Sequence, residues 1–124
     1  MNYNIQTLPS FDKQFKKLLK KYKSLKNDLV RFISDLEENP YQGADLGSGV
    51  RKIRMAITAK GRGKSHGARI ITYTVVVNEE LGFITLLSIY DKAEQDTISN
   101  EEIKRLIEEV ETDNRIISEE ELPE

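Results

Sequence analysis

Apolar residues change their spacing twice along this chain. Phe11, Phe15, Leu18, Leu19 and Tyr22 recur every three or four positions, with Lys13, Lys16, Lys17, Lys20 and Lys21 between them. That is the spacing of a helix with one apolar stripe and one strongly basic face. Pro9-Ser10 supplies a break and an N-cap before it, and Met1 to Leu8 reads as an edge strand. A second helix is predicted from Leu25, with Leu29, Phe32, Ile33 and Leu36 inward. It ends at Asn39-Pro40, because the residue before a proline is pushed out of the helical region. Two short helices in such close succession predict a hairpin.

Tyr41 to Gly49 carries three glycines and reads as a connection. Beyond it the period falls to two. Arg51, Ile53 and Met55 would point to one side of a strand, and Val50, Lys52, Arg54 and Ala56 to the other, so Lys52 and Arg54 share a face. Thr58 to Gly67 holds three cations, one histidine and three glycines, the composition of a mobile loop. Ala68 to Val77 is rich in β-branched residues and apolar on both sides, which predicts the central strand. Asn78 to Gly82 then turns the chain into a further buried strand, Phe83 to Tyr90. The helical period returns after Ser99-Asn100-Glu101-Glu102, a capping box that opens a helix with Ile103, Leu106, Ile107 and Val110 inward. The expected fold is therefore α+β: two N-terminal helices packed on a curved antiparallel sheet, with a C-terminal helix. One domain is expected over 1–112, followed by an acidic tail over 113–124.

Charge sharpens this outline. The net charge is only -2, yet up to Thr72 there are 15 Lys and Arg against 6 Asp and Glu, and from Tyr73 onward 4 against 15. A polyanion would be drawn to the first region and repelled by the second. The absence of cysteine excludes a disulfide framework, a thiolate metal site and a cysteine nucleophile. With one histidine, His66, a His-based metal cluster is excluded too, and no cofactor is expected. No apolar run approaches the ~20 residues of a membrane span, and Met1-Asn2-Tyr3-Asn4 lacks the basic and apolar stretches of a signal peptide. A cytoplasmic location is the resulting expectation.

The stretches Gly49 to Met55, the Gly/Lys/Arg loop, Gly67 to Tyr73 and Leu87-Ser88-Ile89-Tyr90-Asp91-Lys92, in that order, resemble the RelE/ParE-like toxin superfamily, in particular its HigB-like branch. The resemblance implies the toxin half of a type II toxin-antitoxin pair: a metal-independent endoribonuclease that cuts messenger RNA at the ribosome and is held by a cognate antitoxin. In RelE-like ribonucleases a basic pair on one strand faces a cleft, joined by an arginine opening the next strand and a cation after the last. Those positions are filled here by Lys52 and Arg54, by Arg69 and by Lys92. RelE also uses a tyrosine a few residues further on, where this chain has Asp96, Thr97, Ile98 and Ser99, and Tyr90 is the only nearby phenol.

Metal-free RNA cleavage needs a base for the ribose 2'-hydroxyl, stabilisation of the charge that builds on phosphorus, and an acid for the departing 5'-oxygen. Arg54 and Arg69 suit the phosphate oxygens as permanently charged forks. Lys52, among other cations, suits the proton acceptor, and Lys92 the donor, with these two roles exchangeable. Arg51, Lys60, Arg62, Lys64, His66 and Tyr90 are the further candidates for RNA contact. Each has a plainer alternative. Cations on an edge strand discourage aggregation, Arg69 could pair with a carboxylate, and a lone histidine in a loop is commonly incidental. Two other functions stay open: a ParE-like, non-catalytic gyrase inhibitor and a non-catalytic RNA-binding protein.

Overall fold

A computed structural model describes residues 2–121. The elements are β1 (Asn2–Thr7), α1 (Pro9–Lys21), α2 (Leu25–Glu38), β2 (Ala44–Gly47), β3 (Val50–Met55), β4 (Ala68–Val76), β5 (Leu81–Asp91) and α3 (Asn100–Glu121). This is the α+β layout that the spacing predicts, with one sheet in the order β1-β5-β4-β3-β2. The meander β3-β4-β5 is antiparallel and β4 is its centre. The sheet as a whole is mixed rather than antiparallel, because β1 lies parallel to β5. Parallel neighbours need a long crossover, and here the chain between them includes the helical hairpin.

Three local readings are corrected. Pro9, not Ser10, fixes the start of α1: it takes the first helical turn, where its missing N–H costs nothing, Leu8 is the cap residue and no side chain caps the end. Ser10 lies inside the helix, its Oγ buried without a partner. The connection after α2 contains a strand, since Ala44 and Asp45 pair with Lys52 and Arg51. The glycine-rich segment is built of two 3-10 turns, Thr58–Lys60 and Lys64–His66, and is anchored to its surroundings. Ser99 caps α3 as expected, with the Glu102 N–H donating to Ser99 Oγ at 3.1 Å, while the Glu102 carboxylate accepts from Arg105 instead of completing the box. The backbone of α3 continues to Glu121, into the segment expected as a tail; 122–124 lie outside the described residues.

The sheet separates two cores. Phe11, Leu18, Leu25, Phe32 and Leu36 of α1 and α2 close over Ile53, Met55, Ile70, Ile84, Leu86 and Ile89. On the opposite face Ile103, Leu106 and Val110 of α3 cover Val50, Ile71, Leu87 and Tyr90. β5 serves both through a bulge: Ile71 pairs with Ser88 but Thr72 pairs with Leu86, leaving Leu87 as an extra residue. A bulge shifts the alternation of side chains by one. Leu86 and Ile89 therefore face the same helical layer three positions apart, and Tyr90 turns to the α3 face.

Candidate active site

On the α3 face, an open cleft of about 580 Å³ is lined by Gln42, Gly43, Ala44, Lys52, Ile53, Arg54, Lys64, Arg69 and Lys92. Strand register explains the convergence. Arg54 pairs with Arg69 across β3 and β4, and Arg69 with Tyr90 across β4 and β5, so all three share one face. Lys52 is two residues from Arg54 on that face, and Lys92 follows Tyr90 at the same spacing. The four residues expected to act on phosphate thus line one cleft, with Lys64 beside them.

Arg69 is the least expected of them in its surroundings. It is only 5% exposed, and it donates from Nη1 to the carbonyl oxygens of Lys64 and Ala68 at 3.2 and 3.3 Å and from Nη2 to that of Ser65 at 3.0 Å. Among the described residues neither it, Lys52 nor Arg54 forms a salt bridge to a carboxylate. The pairing alternative for Arg69 is therefore not what this structure shows. A buried charge without a counter-ion is costly, and carbonyl dipoles offset only part of that cost.

Two glycines permit the close approaches that shape the cleft. Gly43 has φ +84°, and a Cβ there would lie 2.5 Å from the carbonyl oxygen of Lys52, so only glycine lets this wall lie against β3. At Gly67 a Cβ would meet the Met55 carbonyl oxygen at 2.1 Å. The carbonyl of Gly67 in turn accepts from the Lys92 N–H at 3.1 Å, tying the end of the loop to the residue after β5.

The other expected RNA contacts are dispersed. Arg51 points to the opposite face, 5.8 Å from the Tyr41 ring centroid. Lys60 is also on the helical side, where its Nζ pairs with the buried Asp91 at 2.5 Å and donates to the His66 carbonyl at 2.9 Å. Tyr22 donates to the same carboxylate at 2.6 Å. Burial alone would raise the Asp91 pKa, but hydrogen bonds from Lys60, Tyr22 and the Ala93 N–H outweigh it and hold the carboxyl below its ordinary value. Arg62 is exposed, and exposed His66 holds Ser65 Oγ within 3.0 Å of its Nδ1. Tyr90 is buried, and its hydroxyl has no hydrogen-bond partner. Burial raises its pKa, with Arg69 opposing, so the phenol stays protonated near neutral pH and can only donate to an anion.

Sequence reasoning missed Gln42, Gly43 and Ala44, because a wall made by a connection has no periodic signature. It also left Asp96 without a role. Its carboxylate pairs with Lys92, and that hydrogen bond, with further contributions from Lys52 and Arg69, holds its pKa below the ordinary value. Asp96 is the acidic residue that lies in the field of the cleft cations.

Among the described residues no helix is long and apolar enough to cross a membrane. A search of curated proteins finds no match for the chain. A family model described as the RelE toxin of the RelE/RelB toxin-antitoxin system matches residues 11–124, which include all three helices but for the start of α1, strands β2 to β5 and every cleft residue. The chain belongs to the RelE toxin family, and is a toxin of that toxin-antitoxin class.

Proposed function

We propose that this toxin is a metal-independent endoribonuclease of the HigB-like branch that cuts messenger RNA on the ribosome in the cytoplasm. The observation that carries the reading is the Arg69 guanidinium, buried without a carboxylate in a cleft also lined by Lys52, Arg54, Lys64 and Lys92. Such a site gains most from a ligand that brings its own negative charge, as an RNA phosphate does. RelE-family toxins are generally ribonucleases, which supports the enzymatic reading at the level of the family.

In this reading Arg54 and Arg69 hold the non-bridging oxygens and stabilise the charge that grows as the 2'-oxygen attacks phosphorus. Lys52, in its neutral form, receives the 2'-proton, and Lys92 supplies one to the 5'-oxygen as its bond to phosphorus breaks. The cognate antitoxin would silence the toxin by covering or neutralising the cleft.

The test is cleavage of a defined message in a reconstituted translation system, with wild type, Arg69→Ala and Lys52→Ala. Cuts that leave the 2',3'-cyclic phosphate of 2'-oxygen attack and fall by about 100-fold or more in both variants are expected. An intact message, with growth still arrested in cells, would overturn the nuclease reading and direct attention to a gyrase-type target.

A further inference from the structure

A second pocket adjoins the cleft. It measures about 210 Å³ and lies between α2 and β3, lined by Asp28, Arg31, Phe32, Asp35, Gln42, Arg54, Met55, Ala56, Thr58 and Lys64. Gln42, Arg54 and Lys64 line both cavities, so a strand held by its phosphate in the cleft can continue into the second pocket without leaving the protein. β2 does not screen this route, because its pairing with β3 reaches no further than Lys52 and no strand pairs with that edge at Arg54 and Met55.

The chemistry of the two cavities differs. The cleft is lined by cations and no carboxylate, whereas the second pocket sets an apolar wall of Phe32 and Met55 and two carboxylates, Asp28 and Asp35, beside its cations Arg31, Arg54 and Lys64. Asp28 is already committed: it accepts from Ser24 Oγ at 2.9 Å, Thr58 N at 3.0 Å and Thr58 Oγ1 at 2.5 Å, and pairs with Arg31. It holds the first 3-10 turn to α2. No side-chain hydrogen bond or salt bridge engages Asp35 among the described residues, and it is exposed at the rim. Gln42 uses Nε2 on the Asn39 carbonyl at 3.1 Å and keeps its side-chain oxygen as an acceptor. An apolar wall with acceptor oxygens at the rim and cations on the way in matches a nucleobase carrying N–H donors and joined to a phosphate backbone.

We propose that this pocket is a nucleobase subsite which takes a base next to the phosphate held in the cleft and, through Asp35, favours an exocyclic amino group over a carbonyl. Cytosine and uracil form the cleanest comparison: they have the same size, and the N4 amino group of one is replaced in the other by an oxygen that the carboxylate repels. The inference rests on the RNA reading of the cleft, but its test needs no cleavage. Fluorescence anisotropy would follow binding of cleavage-resistant 2'-fluoro tetranucleotides, all-uridine or with a single cytidine moved through the four positions, to wild type, Asp35→Asn and Asp35→Ala.

One cytidine position is expected to bind about tenfold tighter than uridine, the worth of a hydrogen bond to a charged group. Both Asp35 variants should lose that gain while binding all-uridine RNA at least as well as wild type. Lys92→Ala, at the cleft, should weaken all sequences alike. Cytidine placement without effect in wild type, or a preference that survives in both Asp35 variants, overturns the subsite. Oligonucleotides bound with this preference while messages are never cut would sink the nuclease reading and leave the subsite standing; cutting with no such preference would do the reverse.

Discussion

Two well-covered cations on opposite sides of the sheet have opposite surroundings. Lys60, on the helical side, meets a buried carboxylate, a backbone carbonyl and an aromatic ring. Arg69, on the cleft side, has only backbone carbonyls as hydrogen-bond partners. Both come from the same basic stretch of sequence, yet one closes a circuit and the other leaves one open. A cation neutralised within the fold fastens a loop. One left without a counter-ion burdens the fold until an anion arrives.

The largest effect should come from breaking the closed side. Asp91→Ala leaves Lys60 without its counter-charge, and removing one member of a buried pair destabilises by about 3–5 kcal/mol; urea unfolding would measure it. On the open side, Arg69→Met should lower RNA cleavage by about 100- to 1,000-fold while moving the urea midpoint far less than Asp91→Ala. Equal losses of stability in the two variants would end the contrast drawn between them.

Acid sharpens the same difference. The folded pKa of Asp91 lies below its unfolded value, so its contribution is fully present above the ordinary carboxylate range and fades as pH falls through the folded pKa. Urea midpoints taken from pH 6 to pH 3 should decline more steeply in wild type than in Asp91→Asn. The smallest effect is expected at Asp96, an exposed residue paired with Lys92. Asp96→Asn should tighten RNA binding by about threefold, and more in low salt than in high, since one competing negative charge leaves the cleft. Weaker binding would instead give Asp96 a direct part in holding RNA.

Much of this was legible in the residues. Spacing alone marks α1, α2, β3, β4 and the start of α3, because each has a face buried against a neighbour and burial enforces the period. It also puts Lys52 and Arg54 on one face. What stays hidden depends on partners remote in sequence. β2 is a strand only because β3 lies beside it, and all four of its residues are exposed. Lys60 resembles Lys64 and Arg62 in a Gly/Lys/Arg loop until Asp91, far along the chain, is folded against it. The second pocket is invisible for the same reason, since Asp35 belongs to the polar face of a helix and Gln42 to a connection.

The extra residue at Leu87 gives β5 a change of phase. Before it even-numbered positions such as Ile84 and Leu86 face the helical layer, and after it odd-numbered ones such as Ile89 do, while Tyr90 faces the cleft side. Ironing the bulge out while keeping every residue would exchange the outlooks of Tyr90 and Asp91, turning a carboxylate to the face of Arg69 and a phenol to that of Lys60. The protein would then neutralise its own anion site and strand its buried lysine in one stroke. Whether this sheet receives a ligand or closes on itself thus hangs on the parity of a single strand.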